Sequence, residues 1–244
     1  ELEPEVASLV LRDNENQGFA VSLDLLRSRE GLDDLRDLMS GLEREGVLDR
    51  AGEHLPTWEV LAERQEEGKG FTRPELSVLL AYAKLHLTSH LLRSRVPDDP
   101  VADRYLKGYF PARAVEVVGE GRLKEHRLHR EIVASQLAGD LVNLMGAGFI
   151  HRVSRGMGRS PAEVARAWLV AAELTGQPRL VEELRMGVTP MPVGVSYRWL
   201  GGLSRVLERT TRWLLSIGDF ARQETADAVA EDRQGLDRLR VAFP

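Results

Sequence analysis

The chain has 244 residues, a net charge of −5 and no cysteine, with 43% hydrophobic and 29% charged residues. Without cysteine there is no disulfide scaffold, zinc–thiolate site, iron–sulfur cluster or cysteine nucleophile. The acidic balance argues against a general nucleic-acid binder, which carries a basic excess.

Taken in chain order, nearly every segment predicts helix, and the alternation and hairpin turns of strands are missing. Val6 to about Ser28 is a long apolar-rich helix, weakened by Gly18. Leu32, Leu35, Leu38, Met39 and Leu42 recur at three- and four-residue steps, the spacing of an amphipathic helix that Gly46 closes. Pro56 to about Glu67 is a short helix ending at Gly68.

The next helix has the firmest start in the chain. Thr72 and Glu75 form a T-x-x-E capping box, Phe71 and Leu76 occupy the staple positions, and Pro74 lies in the first turn. It runs to about Arg93. Its first half is apolar on almost every side, which predicts a central place in a bundle.

Asp99-Pro100 opens another helix, and Pro111 separates it from a short one ending near Gly119. From Leu123 a long helix is expected, with Leu128, Ile132, Leu137, Leu141 and Met145 on neighbouring faces, continuing through "GAGFIHRV". Ser160 and Glu163 form a second capping box for a helix to about Leu174. "RMGVTPMPVG" reads as a loop, followed by a long helix through Leu203, Leu207 and Leu214 and a charged helical tail from Asp219 to Arg240. The whole predicts one all-α domain over residues 1–244, a multi-helix bundle of roughly eight to ten helices with a weak internal boundary near 66–70.

No apolar run reaches the eighteen residues of a membrane span, because Lys84 and His86 interrupt the longest candidate. No basic-then-apolar leader is present, and the lack of cysteine fits a cytoplasmic setting. The chain opens on Glu1 rather than Met, as a piece of a longer polypeptide would.

Catalytic motifs are scarce. "GAGFIH" and "GEGRLK" do not complete G-x-G-x-x-G and follow no predicted strand, so these glycines read as helix ends. Ser196 in "GVSYR" lacks the closing glycine of a nucleophile elbow. His86 and His90 stand i, i+4 on one helix and can share a metal, but no glutamate completes H-E-x-x-H. They read instead as polar residues facing a partner helix or solvent.

"KEHRLHREI", holding His126, Arg127 and Arg130, reads as an interhelical ion-pair network with His126 and Arg130 one turn apart, or else as an anion-binding face. "RVSRGMGR" reads as a loop with solubilising charge. The four tryptophans read as core or interface anchors. No catalytic, cofactor-binding or metal residue is assigned.

Four strings carry a resemblance: "VASLVLRDNENQ", "FTRPELSVLLAYAKLHL", "VPDDPVADRYLKGYFPAR" and "EHRLHREIVASQLAGDLVNLMG". Their order and spacing resemble the C-terminal region of the large bacterial NAD-specific glutamate dehydrogenases, most strongly from Phe71 to Val153. The resemblance implies a parent that oxidises L-glutamate to 2-oxoglutarate and ammonium with NAD. It also implies that the dinucleotide fold and the catalytic lysine and aspartate lie N-terminal to this region. The chain itself would hold no cofactor and be inactive alone.

Its partners would then be the catalytic domain of the same polypeptide and further copies of the parent, with neither nucleic acid nor membrane. Under this reading Arg73, Glu75, Tyr82 and Lys84, with His126, Arg127 and Arg130, are polar handles at an interdomain or subunit surface. A second reading takes the chain as a stand-alone helical protein that binds an acidic partner or nucleotide through residues 124–130 and 152–159.

Overall fold

The computed structural model describes residues 3–27, 31–185 and 192–217. These residues form twelve α-helices and two short 3-10 turns, and contain no strand. The all-α expectation holds. The helix count is higher than expected because one predicted long helix is divided and an unforeseen helix covers Gln177–Arg185.

Helix α1 (Glu3–Arg27) runs unbroken through Gly18. Its final turns enter the core through Ala20 and Leu23, while Val6, Val10 and Leu11 stay exposed. Helix α2 (Leu32–Arg44) buries the leucine stripe that its spacing predicts. Past its end Gly46 takes a φ of +70°, the left-handed turn that glycine adopts without strain. Helix α3 (Trp58–Glu66) starts at Thr57, whose hydroxyl accepts the Val60 N–H at 3.4 Å.

Helix α4 (Arg73–Leu92) begins at the predicted capping box, where the Thr72 N–H donates to Glu75 Oε2 at 2.6 Å. Leu76, Leu79, Leu80, Ala83, Leu87 and Leu91 are buried. The opposite face is not. Ser77, Ala81, Leu85 and Ser89 are exposed, Leu85 by 64%. The helix therefore has one solvent face instead of being enclosed all round. Small residues and a single leucine made that face look apolar in sequence.

Asp99 accepts the Val101 N–H at 3.0 Å and caps the 3-10 turn Pro100–Ala102, which leads into α5 (Asp103–Tyr109). Helix α6 (Ala112–Val118) ends at Gly119, with a φ of +81°. The long helix expected from Leu123 is interrupted. Helix α7 (Glu120–Lys124) stops, and α8 (His129–Met145) starts afresh. In the turn between them the His126 N–H bonds Leu123 O at 3.0 Å, and His126 Nδ1 accepts the Leu128 N–H at 3.2 Å. A side chain that captures a neighbouring backbone donor competes with helix continuation. Leu128 is thereby left 45% exposed.

Helix α9 (Phe149–Met157) turns by 90° from α8 at Gly146, whose φ is +92°. "RVSRGMGR" thus lies mostly on a helix rather than in a loop. Helix α10 (Pro161–Thr175) carries the second capping box, with Ser160 N–H on Glu163 Oε2 at 2.8 Å. Helix α11 (Gln177–Arg185) follows Gly176, and α12 (Val193–Ser216) completes the described chain. Most of the expected 185–194 loop and the charged tail from Asp219 lie outside the described residues.

One apolar cluster runs from α1 to α12. Its densest part is α10, where Val164, Ala165, Trp168, Leu169 and Val170 are fully buried. Helix α4 packs along α8, and α10 along α12. No single described helix is long and apolar enough to cross a membrane.

Candidate functional site

The C-terminal ends of α2 and α4 meet the first turns of α9 around a cavity of about 400 Å³. Its wall includes Glu45, His86, His90, His151, Ser154 and Arg155. Helix periodicity stacks His86 and His90 one turn apart on α4, and Glu45 is the C-cap of α2. His86 Nε2 lies 2.8 Å from Glu45 Oε2, and His90 Nε2 lies 3.3 Å from His86 Nε2. Burial, and next the neighbouring His86, lowers the pKa of His90.

His151 reaches the cavity from α9. Its ring lies against the α2 backbone at Gly41, where an added Cβ would stand 2.5 Å from the ring. Burial and then Arg155 lower the pKa of His151. His151 Nε2 and Ser154 Oγ are buried without a hydrogen-bond partner among the described residues. Most buried side-chain polar atoms in proteins have a hydrogen-bond partner.

The seven residues singled out from sequence do not gather here. Arg73 is exposed and donates to Ser22 Oγ at 3.1 Å. Glu75 holds the α4 cap and also accepts Arg64 Nη1 at 2.8 Å. Burial opposes its charge, but the Arg64 and Thr72 hydrogen bonds outweigh that and lower its pKa. The Tyr82 hydroxyl donates to Glu53 at 2.6 Å, a bond that raises the phenol's pKa. Lys84 is half-buried.

His126 and Arg127 are exposed in and beside the turn before α8. His126 and Arg130 are therefore not stacked on one helix. Arg130 pairs with Asp98 and donates to Leu92 O at 3.0 Å and Ser94 O at 2.8 Å. Arg73 and Arg130 thus mark opposite ends of α4, about 28 Å apart at 1.5 Å per residue.

Both basic stretches are matched by acids across helices. Lys124 meets Asp103 at 2.5 Å, and Arg155 meets Asp37 at 2.9 Å. Arg152 bridges Asp34 at 2.6 Å and Glu208 at 2.7 Å, joining α2, α9 and α12. The first stretch thus has cross-element ion pairs at Lys124 and Arg130 but not the His126–Arg130 stacking, and the second stretch joins helices. Trp168 is wholly buried, Trp58 lies 4.6 Å beneath Arg50, and Trp213 is 52% exposed.

Sequence reasoning noticed His86 and His90 but missed Glu45, which lies 41 residues before His86. It also gave His151 no role. A histidine directly after an apolar pair at a helix start was the available signal for it.

Comparison with known proteins adds the family. Residues 68–244 match the model described as glutamate dehydrogenase, C-terminal. An NAD-specific glutamate dehydrogenase from Halomonas elongata is 43% identical over 211 residues, covering 86% of this chain and 13% of the relative. One from Pseudomonas aeruginosa is 41% identical, with 86% and 13% covered. One from Mycobacterium tuberculosis is 31% identical, with 87% and 13% covered. The chain spans about 13% of the length of these relatives. On the extent of these matches, the chain belongs to the family of glutamate dehydrogenase C-terminal domains.

Proposed function

We propose that this chain is the helical C-terminal domain of an NAD-dependent glutamate dehydrogenase, with a scaffolding, assembly or regulatory role and no hydride-transfer site of its own. The parent's reaction is L-glutamate, NAD and water to 2-oxoglutarate, ammonium and NADH. One observation carries the reading: 43% identity across 86% of this chain falls within 13% of a much longer NAD-specific enzyme. A strand–glycine-loop–helix unit for the dinucleotide needs a strand, and the described residues contain none. The apolar exposure of Val6, Val10 and Leu11 on α1 suits docking against the rest of the polypeptide. On this reading the parent is a cytoplasmic homo-oligomer.

The test compares three proteins: the parent, the parent lacking this segment, and the 244-residue chain. Glutamate-dependent NADH formation is expected from the parent and not from the isolated chain, with altered assembly or regulation once the segment is removed. NADH formation by the isolated chain would sink the proposal. So would a truncated parent indistinguishable from the intact one.

A further inference from the structure

We propose that Glu45, His86 and His90 form a binding site for one divalent transition-metal ion of the Zn²⁺ class, tying the end of α2 to α4. The site is independent of the dehydrogenase reading. One ligand atom from each of the three residues lies within 4.8 Å of the other two.

The first argument is hydrogen-bond accounting. His86 Nε2 carries either a proton or a lone pair. With a proton it serves Glu45 at 2.8 Å and has nothing to offer His90 at 3.3 Å. With a lone pair it can accept from His90, but then faces the Glu45 carboxylate lone pair to lone pair. No tautomer satisfies both contacts when the rings are neutral. A cation among the three atoms satisfies both, because all three then act as donors of lone pairs to one centre.

The second argument is distance. Zinc–nitrogen bonds of about 2.0–2.1 Å in a tetrahedron place two imidazole nitrogens about 3.3–3.4 Å apart. The two Nε2 atoms are 3.3 Å apart. Along the Glu45–His86 edge, now 2.8 Å, Glu45 needs to open by about half an ångström. Its side chain is 51% exposed and free to do so.

The third argument is field. Glu45 caps the C-terminus of α2, and His90 sits in the last turn of α4. Helix C-termini carry partial negative charge, so an acid there is misplaced unless a cation accompanies it. The basic side chains on the far wall are already spoken for, Arg155 by Asp37 and Arg159 by Glu163. Arg93, the other basic neighbour of His90, is exposed. The site is therefore built for a cation rather than an anion. Three protein ligands leave a fourth position for water on the cavity side, where His151 Nε2 and Ser154 Oγ lack partners.

The experiment uses the 244-residue chain without a histidine tag, freed of metal with EDTA. Titration with Zn²⁺ is expected to saturate at one equivalent. His86→Gln and His90→Gln are expected to weaken binding more than about 100-fold, and Glu45→Gln more than about 10-fold, since even outer-shell changes cost 10–100-fold. His126→Gln, at an exposed histidine, should leave affinity unchanged.

Circular dichroism checks that each variant folds. If one does not, X-ray absorption at the zinc edge of the unaltered chain decides, with two imidazoles and an oxygen shell expected. Absence of saturable Zn²⁺ binding, equal affinity in the three ligand variants, or a shell without two imidazoles would each overturn the site. Inorganic phosphate binding there in place of Zn²⁺ would overturn it too.

Discussion

The two ends of α4 make opposite use of charged and polar groups. At the N-terminus each partner is complementary. The Thr72 N–H donates to the Glu75 carboxylate, which also receives Arg64, and Arg73 donates to Ser22. At the C-terminal half Glu45, His86 and His90 bring three acceptor-capable atoms to one point. The first arrangement is complete as it stands. The second becomes complete with a cation. Polar residues at one end of the helix therefore hold the fold, and those at the other are available for binding.

The largest effect is expected at the complete end. Glu75→Ala removes a cap and a charge-assisted pair and strands half-buried Arg64. The cost should be about 3 kcal/mol in chemical denaturation, the sum of a cap and a charged hydrogen bond. A loss below about 1 kcal/mol would break the comparison. Its pH dependence sharpens the point. Glu75 has a lowered folded pKa. Its stabilisation is thus present above the ordinary carboxylate pKa and lost as pH falls through the folded value. Glu75→Gln should flatten that acid limb in a denaturation series across pH.

Next comes the metal. Zn²⁺ at 100 times its dissociation constant should raise stability by about 2.7 kcal/mol, an effect missing in His90→Gln. Thermal unfolding with and without Zn²⁺ reads it directly. Gly41→Ala should cost about 2 kcal/mol by forcing the His151 ring off α2, as overpacking does. The smallest effect is the most telling. Metal-free His86→Ala should change stability by less than about 0.5 kcal/mol, since it relieves a mismatched contact. A loss of about 2 kcal/mol there would make His86 as structural as Glu75 and erase the contrast.

What sequence revealed followed from local chemistry. The boxes at Thr72/Glu75 and Ser160/Glu163 are read within four residues, and both appear with their reciprocal bonds. The stripe of α2 follows from period alone. What sequence concealed depended on distant partners or on competition. The break before α8 is decided by His126 capturing the Leu128 amide, an outcome that leucine spacing does not encode. "RVSRGMGR" lies mostly on a helix that buries Phe149, Ile150 and Val153, and its Arg152 and Arg155 meet acids 118 residues away on α2. Glu45 joins the histidines only through the packing of α2, α4 and α9, so the i, i+4 pair alone could not disclose a third ligand.

The right-angle corner after α8 has a consequence for the order of events during synthesis. The buried Asp24 on α1 accepts the Ala147 N–H at 3.0 Å, across 123 residues. Until residue 147 leaves the ribosome that bond has no donor, and the surface of α8 beneath α1 does not exist. At translation rates of about 5–20 residues per second, roughly 6–25 s separate the synthesis of Asp24 from that of its partner. Helix α1 can settle on α4 before then, but the seat that Asp24 takes at the corner is completed only after α8 has been made.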